Sequence, residues 1–307
     1  MKFIILSDLH LTCNTPVARL DNIEETWKRK FEFILKYSVE NDFPIIIAGD
    51  VFDKPRDWKT LSEFIKLITQ YEPSIMAVFG QHDMYLYSAN KDYTSLGILI
   101  KSELVGELGE VPAGGGANDR VKIYGASWGQ EVPLPNYDDG CVNILVIHKN
   151  ISDRPLFPGH EYTDALQFLQ KHPEYQVIVC GDIHRRFYAG GIPKLERNRR
   201  IIINPGPLLR MEATEYNMTY EPKFAVLDID TQSVEWVTIP HEPAEKVLSR
   251  KHIENKKETE SMLDEFIKNV SVDHKITFSF KENLQEYLTK NKTSQEIKDV
   301  ISKIMGE

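Results

Sequence analysis

The chain has 307 residues, 41% hydrophobic and 27% charged, an ordinary soluble globular composition with room for one large domain and a small appendage. A formal net charge of −9 excludes a generally basic, nucleic-acid-coating surface, but leaves room for a local basic patch. Three cysteines, Cys13, Cys141 and Cys180, without metal-type spacing exclude a disulfide framework, and a reducing, cytoplasmic setting is expected.

The apolar start, Met1 to Leu6, stops at Ser7-Asp8. It is too short for a signal peptide or a membrane span, and no later segment is long enough, so no membrane association is expected. Residues 3–6, 45–48 and 75–79 read as strands buried on both faces, separated by helical spacing over 27–39 and 60–70. That alternation indicates βαβ units. Residues 111–118 read as a loop, because no Lys-Ser/Thr follows the glycines as a phosphate-binding loop requires. From about residue 121 strands predominate: 121–124, 142–147, 177–180, 200–203, 224–229 and 234–239, with one helix at 162–170. A second sheet packed on the first with helices outside gives a four-layer α-β-β-α sandwich of two mixed sheets. After Pro240-His241-Glu242-Pro243 the chain turns Lys/Glu-rich. The expected division is a large domain over 1–241 and a small α+β appendage over 242–307. That appendage should hold a helix at 258–269, a strand at 275–280 and a final helix at 294–304.

Five of these strands end in polar clusters: Ser7-Asp8-Leu9-His10, Gly49-Asp50-Val51-Phe52-Asp53, Gly80-Gln81-His82-Asp83, His148, and Gly181-Asp182-Ile183-His184. Taken singly, each polar residue reads as a helix cap or a turn. Together they place ligand-type side chains at the carboxyl ends of strands, which converge on one crevice in an α/β sheet. Asp8 and His10 are two apart, so in an extended segment both face one ion, and Asp182 and His184 repeat the spacing. Imidazole, carboxylate and amide donors without thiolate suit Mn²⁺, Fe²⁺ or Zn²⁺. There are too many for one ion and enough for two, which about 3.5–4 Å apart would hold both oxygens of an in-line displacement at phosphorus. Asp50, behind a glycine, is the natural bridging carboxylate.

The ordered set resembles the calcineurin-like metallophosphoesterases, whose usual pattern is DxH, GDxxD, GNHD/E, a lone H and GHxH. Within them, "SDLHL", "IIIAGDVFD" and "NPGPLLRMEATEY" are similar to the SbcD-type DNA-repair exonucleases. Gln81 stands where the family has Asn, Asp182 where it has the first His of GHxH, and Pro207 where it usually has Ser. Both of the first two replacements offer oxygen, which shifts preference toward Mn²⁺ or Mg²⁺. The expected sets are Asp8, His10, Asp50 and His184 for one ion, and Asp50, Gln81, His148 and Asp182 for the other. By resemblance His82 either protonates the leaving oxygen as an acid or stabilises the transition state, with Asp83 orienting its ring.

The sequence Asp53-Lys54-Pro55 points away from phosphoprotein phosphatases, which continue into Arg-Gly. A basic run, Arg185, Arg186, Lys194, Arg197, Arg199 and Arg200, reads either as a solvated hairpin or as a phosphate-backbone contact, with Arg210 a further candidate contact. Phe187, Tyr188, Tyr216 and Tyr220 either stack on bases or pack in the core. The expected activity is a metal-dependent DNA phosphodiesterase. The alternatives are a phosphodiesterase for a small molecule such as a cyclic nucleotide, and a catalytically weakened DNA-binding subunit. The resemblance also implies a homodimer, for which the helices at 27–39 and 60–70 are candidate segments, unless their apolar residues face the sheet. It implies a coiled-coil, SMC-like ATPase partner too; the stripe Ile297, Val300, Ile301 and Ile304, at helical spacing, either meets that partner or docks on the small appendage itself.

Overall fold

The computed structural model describes residues 1–87, 91–114, 120–135, 140–190, 200–251, 262, 280–291 and 293–304. These divide into two compact units, Met1–Leu248 and Ser249–Glu307. In the first unit the strands are β1 (Lys2–Leu6), β2 (Ile45–Ala48), β3 (Ile75–Val78), β4 (Gly106–Glu107), β5 (Ala113–Gly114), β6 (Val121–Ala126), β7 (Val142–His148), β8 (Ile151–Ser152), β9 (Thr163–Asp164), β10 (Val177–Gly181), β11 (Phe187–Gly190), β12 (Ile201–Asn204), β13 (Lys223–Asp228) and β14 (Ser233–Thr238). One six-stranded sheet runs β14-β13-β1-β2-β3-β4 and the other β11-β12-β10-β7-β6-β5. Both are mixed. In the first, β1 to β4 are parallel and β13 is antiparallel to β1; in the second, β6, β7, β10 and β12 are parallel while β5 and β11 run against their neighbours.

Side-chain alternation along these strands builds the layers. Phe3, Ile5, Ile46 and Ala48 point toward Ile144, Val146, Val177 and Val179 of the other sheet and form the core between the sheets. Their neighbours Ile4, Leu6, Ile45 and Ile47 point outward, against Trp27, Phe31 and Ile34 of helix α1 (Ile23–Asn41) and Phe64 and Ile68 of α2 (Trp58–Tyr71). On the far side Leu145, Ile147, Ile178 and Ile202 meet Phe168 and Leu169 of a shorter helix, Ala165–Lys171. Because both faces of the inner strands are covered, their sequences are continuous apolar runs rather than alternating ones.

Some expectations shift. Ala113–Gly114 of the expected loop pairs antiparallel with β6 as an edge strand, and residues 115–118 of that loop lie outside the described residues. Residues 242–248 stay with the first unit because Leu20 N–H donates to Val247 O at 3.1 Å and Arg19 bridges Leu248. In the second unit the expected helix at 258–269 and strand at 275–280 fall almost wholly outside the described residues, and Phe280 opens a helix, Phe280–Lys290. The final helix is Gln295–Ile304.

Candidate metal centre

Beyond β1 and β2 the two turns run side by side: Asp8 N–H donates to Gly49 O (3.1 Å), His10 N–H to Asp50 O (3.0 Å) and Leu11 N–H to Val51 O (3.0 Å). The segment is not extended, as the Asp-x-His spacing suggested. Asp8, His10 and Asp50 all take left-handed φ, at 50°, 45° and 50°, and so does Asp182 at 86°. Such backbone is costly for residues with a Cβ, about 1–3 kcal/mol each, and concentrates at functional sites. Two glycines are needed for close approach. A Cβ on Gly49 (φ 85°) would lie 2.3 Å from His148 Nδ1, and one on Gly80 would lie 2.0 Å from Asp50 Oδ1.

Asp8, His10 and His184 bring ligand atoms together, as do Asp8, Asp50 and His148, and His10, Asp50 and His82. His10 Nε2 and His184 Nε2 are 2.9 Å apart, close enough for both to reach one ion. His184 Nε2 is 3.7 Å from Asp8 Oδ1, and His10 Nε2 is 3.7 Å from Asp50 Oδ2. His148 donates from Nδ1 to Ala48 O at 2.6 Å, which leaves Nε2 facing Asp50 Oδ2 at 3.4 Å. Across the group, Asp8 Oδ2, Asp50 Oδ2, Gln81 Oε1 and His148 Nε2 are buried without a well-formed hydrogen bond among the described residues, Asp50 Oδ2 and His148 Nε2 facing each other in a poorly aligned contact. Unpartnered buried acceptors are destabilising unless something cationic meets them. The donor set therefore fits divalent ions.

The turn after β3 is a single 3-10 turn, Gln81–Asp83. His82 N–H donates to Asp50 Oδ1 at 2.9 Å, and His82 Nδ1 lies 2.9 Å from Asp53 O. A carbonyl only accepts, so the ring carries its proton on Nδ1 and leaves Nε2 open. Asp83 was expected to orient this ring, and it does not. Its buried carboxylate accepts from Val51, Phe52 and Gly80 N–H at 3.1, 3.0 and 3.1 Å, fastening the turn to the β2 loop. Burial, with Asp50 beside it, pushes its carboxyl up to about 7 against those three bonds.

Gln81 and Asp182 meet each other: Nε2 donates to Asp182 Oδ1 at 2.8 Å, while Asp182 N–H donates to Asp8 Oδ1 at 3.0 Å. The residue that sequence reasoning missed is Asn204. It is fully buried, donates to Ile183 O at 2.9 Å and accepts from Gly206 N–H at 2.7 Å and Ser7 Oγ at 3.4 Å. It ties the first and last site loops together, and the only sequence signal was its place in an Asn-Pro-Gly turn.

The expected phosphate contacts divide. Arg185 lies over the Tyr216 ring at 5.4 Å, and Arg186 lies over Tyr220 and Trp236 while donating to Glu221 O at 2.9 Å. Arg210 is buried and donates to Glu242 O at 2.5 Å, an interior brace rather than a rim contact. Arg200 is likewise a brace, with its guanidinium bonded to the carbonyls of Leu169, His172 and Tyr175. Lys194, Arg197 and Arg199 lie outside the described residues.

Residues 1–186 match the model of the calcineurin-like phosphoesterases. The chain belongs to that family. Family membership makes it a metal-dependent phosphoesterase of a typically dinuclear kind, and its candidate ligand groups agree with that chemistry. Among 61 matching solved chains, one aligns over 78% of this phosphoesterase and 99% of its own length, at 13% identity and a TM-score of 0.44. No curated protein matches it. Among the described residues of this phosphoesterase, no helix is long and apolar enough to cross a membrane.

Proposed function

We propose that this phosphoesterase hydrolyses phosphodiester bonds of DNA as an SbcD-type nuclease holding two divalent ions, Mn²⁺ foremost. One ion is assigned to Asp8, His10, Asp50 and His184, the other to Asp50, Gln81, His148 and Asp182. The observation that carries the two-ion reading is the set of four buried ligand atoms, on Asp8, Asp50, Gln81 and His148, that have no hydrogen-bond partner among the described residues. When bound, two such ions stabilise the attacking and departing oxygens of an in-line displacement at phosphorus. His82 is exposed and anchored through Nδ1 on Asp53 O. Protonated at Nε2, it can hand that proton to the leaving oxygen.

A nucleic-acid substrate is supported by the cation–aromatic pairs near the site. Arg56 lies 3.9 Å from the centre of the half-exposed Tyr85 ring, just past the His82 turn, and Arg185 covers Tyr216. Tyr85 is exposed and Tyr216 partly so, and aromatics beside cations suit bases and phosphates. Partners follow from the same resemblance: a second copy of the chain, and a coiled-coil ATPase. A chain that stays monomeric at micromolar concentration counts against the first.

The test is Mn²⁺-dependent digestion of end-labelled duplex and single-stranded DNA, alongside bis(p-nitrophenyl) phosphate as a generic diester. DNA should be cut. His82→Ala should lower turnover by about 10²–10⁴-fold with Mn²⁺ uptake retained. Hydrolysis of the generic diester without any DNA cleavage would assign the site to a small-molecule phosphodiester instead.

A further inference from the structure

Gln81 and Asp182 come from turns on different sheets and meet at one hydrogen bond, Gln81 Nε2 to Asp182 Oδ1 at 2.8 Å. An ionised carboxylate only accepts, so the carboxamide must turn its NH₂ toward it. That choice sends Gln81 Oε1 the other way, where it is buried without a hydrogen-bond partner among the described residues. Each half of the pair is also fastened to a carboxylate of the centre. His82 N–H, next to Gln81, holds Asp50 Oδ1 at 2.9 Å, and Asp182 N–H holds Asp8 Oδ1 at 3.0 Å.

We propose that Gln81 and Asp182 form one cation-binding unit, in which the amide hydrogen bond sets how tightly the second ion is held. This rests on the two-ion reading above. The bond leaves one neutral oxygen, Gln81 Oε1, and one anionic oxygen, Asp182 Oδ2, as hard donors for Mn²⁺ or Mg²⁺. A partner that orients a ligand typically changes metal affinity by about 10–100-fold. In this pair each ligand is the other's orienting partner, so losing the bond misplaces both.

Gln81→Glu separates this unit from a glutamine acting as a simple oxygen ligand, because the two give opposite signs. Glutamate keeps an oxygen at the same reach and adds negative charge, so a simple ligand would bind Mn²⁺ more tightly. In a paired unit the substitution removes the NH₂ and sets two carboxylates face to face. The weaker of the two Mn²⁺ dissociation constants should then rise about 10–100-fold, with the tighter one unchanged. The double variant Gln81→Glu/Asp182→Asn reverses donor and acceptor at the original net charge, and should recover most of the loss. Isothermal titration calorimetry on the metal-free full chain reads both constants, and melting temperatures establish that the variants fold. Tighter or unchanged binding in Gln81→Glu, or no recovery in the double variant, overturns the proposal. A wild-type chain that takes up fewer than two ions overturns the two-ion reading itself.

Discussion

His148 and His10 both lie against Asp50, yet their protons respond in opposite ways. Burial disfavours charge on each. At His148, Asp50 and Asp8 outweigh burial and hold the ring up to about 10. At His10, burial is joined by the neighbouring imidazoles of His184, His82 and His148, and the ring falls to about 3 despite Asp50. A folded-state value above the unfolded one means that His148 contributes stability below about pH 6.5, lost as pH rises through about 10. Lys30, whose buried ammonium is pushed down chiefly by burial, acts with the opposite sign over part of that window. The clean observable is therefore a difference. The stability advantage of ion-free wild type over His148→Asn should shrink between pH 6.5 and 10 in urea titrations, and a constant advantage would remove this account. At this scale the acidic and imidazole positions were legible because each closes an apolar strand. Asn204 was not, and neither was the grip of Asp53 on His82, because a backbone carbonyl leaves no trace in side-chain pattern. The interior placement of Arg210 was equally hidden, since burial of a guanidinium depends on which carbonyls surround it.

Between residues and the whole, the helices on the outer face of the first sheet are fixed at their starts. Asn22 Oδ1 accepts from Glu24 N–H at 3.0 Å to open α1, and Asp57 Oδ1 accepts from Thr60 N–H at 3.1 Å to open α2. Asp57 also accepts from Thr60 Oγ1 at 2.6 Å. Asp57→Ala should cost about 1 kcal/mol in urea unfolding while leaving Mn²⁺ stoichiometry unchanged, because α2 packs on the face away from the other sheet. A loss of metal uptake would show that the cap reaches the centre. The apolar period alone placed the helices at 27–39 and 60–70, short of the observed Ile23–Asn41 and Trp58–Tyr71. The cap residues carried the missing turns. The inner strands were readable because they are buried on both faces. Strands β4, β5 and β11 were not, being short edge strands with little apolar run to detect. The helix Ser95–Lys101 was missed as well, though Thr94 caps it on Gly97 N–H at 3.1 Å.

For the molecule as a whole, the proposed ATPase contact lies in the final helix, where Val300 is 51% exposed and Ile297 and Ile301 are half-buried. Deleting residues 293–307 should spare Mn²⁺-dependent cleavage of short DNA and abolish co-purification with such an ATPase. Loss of cleavage together with folding would instead make the helix part of the domain's core. The centre itself draws on both sheets. Asp8, His10, Asp50 and Gln81 follow strands of one, and His148, Asp182 and His184 close or follow strands of the other. Under the proposed assignment, neither sheet alone presents a full set for either ion. Under that assignment a chain with only the first sheet formed carries Asp8, His10 and Asp50 for one ion but only Asp50 and Gln81 for the other, whose set is completed when the two sheets dock. On the proposed assignment, bound metal would be a rivet across the sandwich, holding together loops that belong to different sheets.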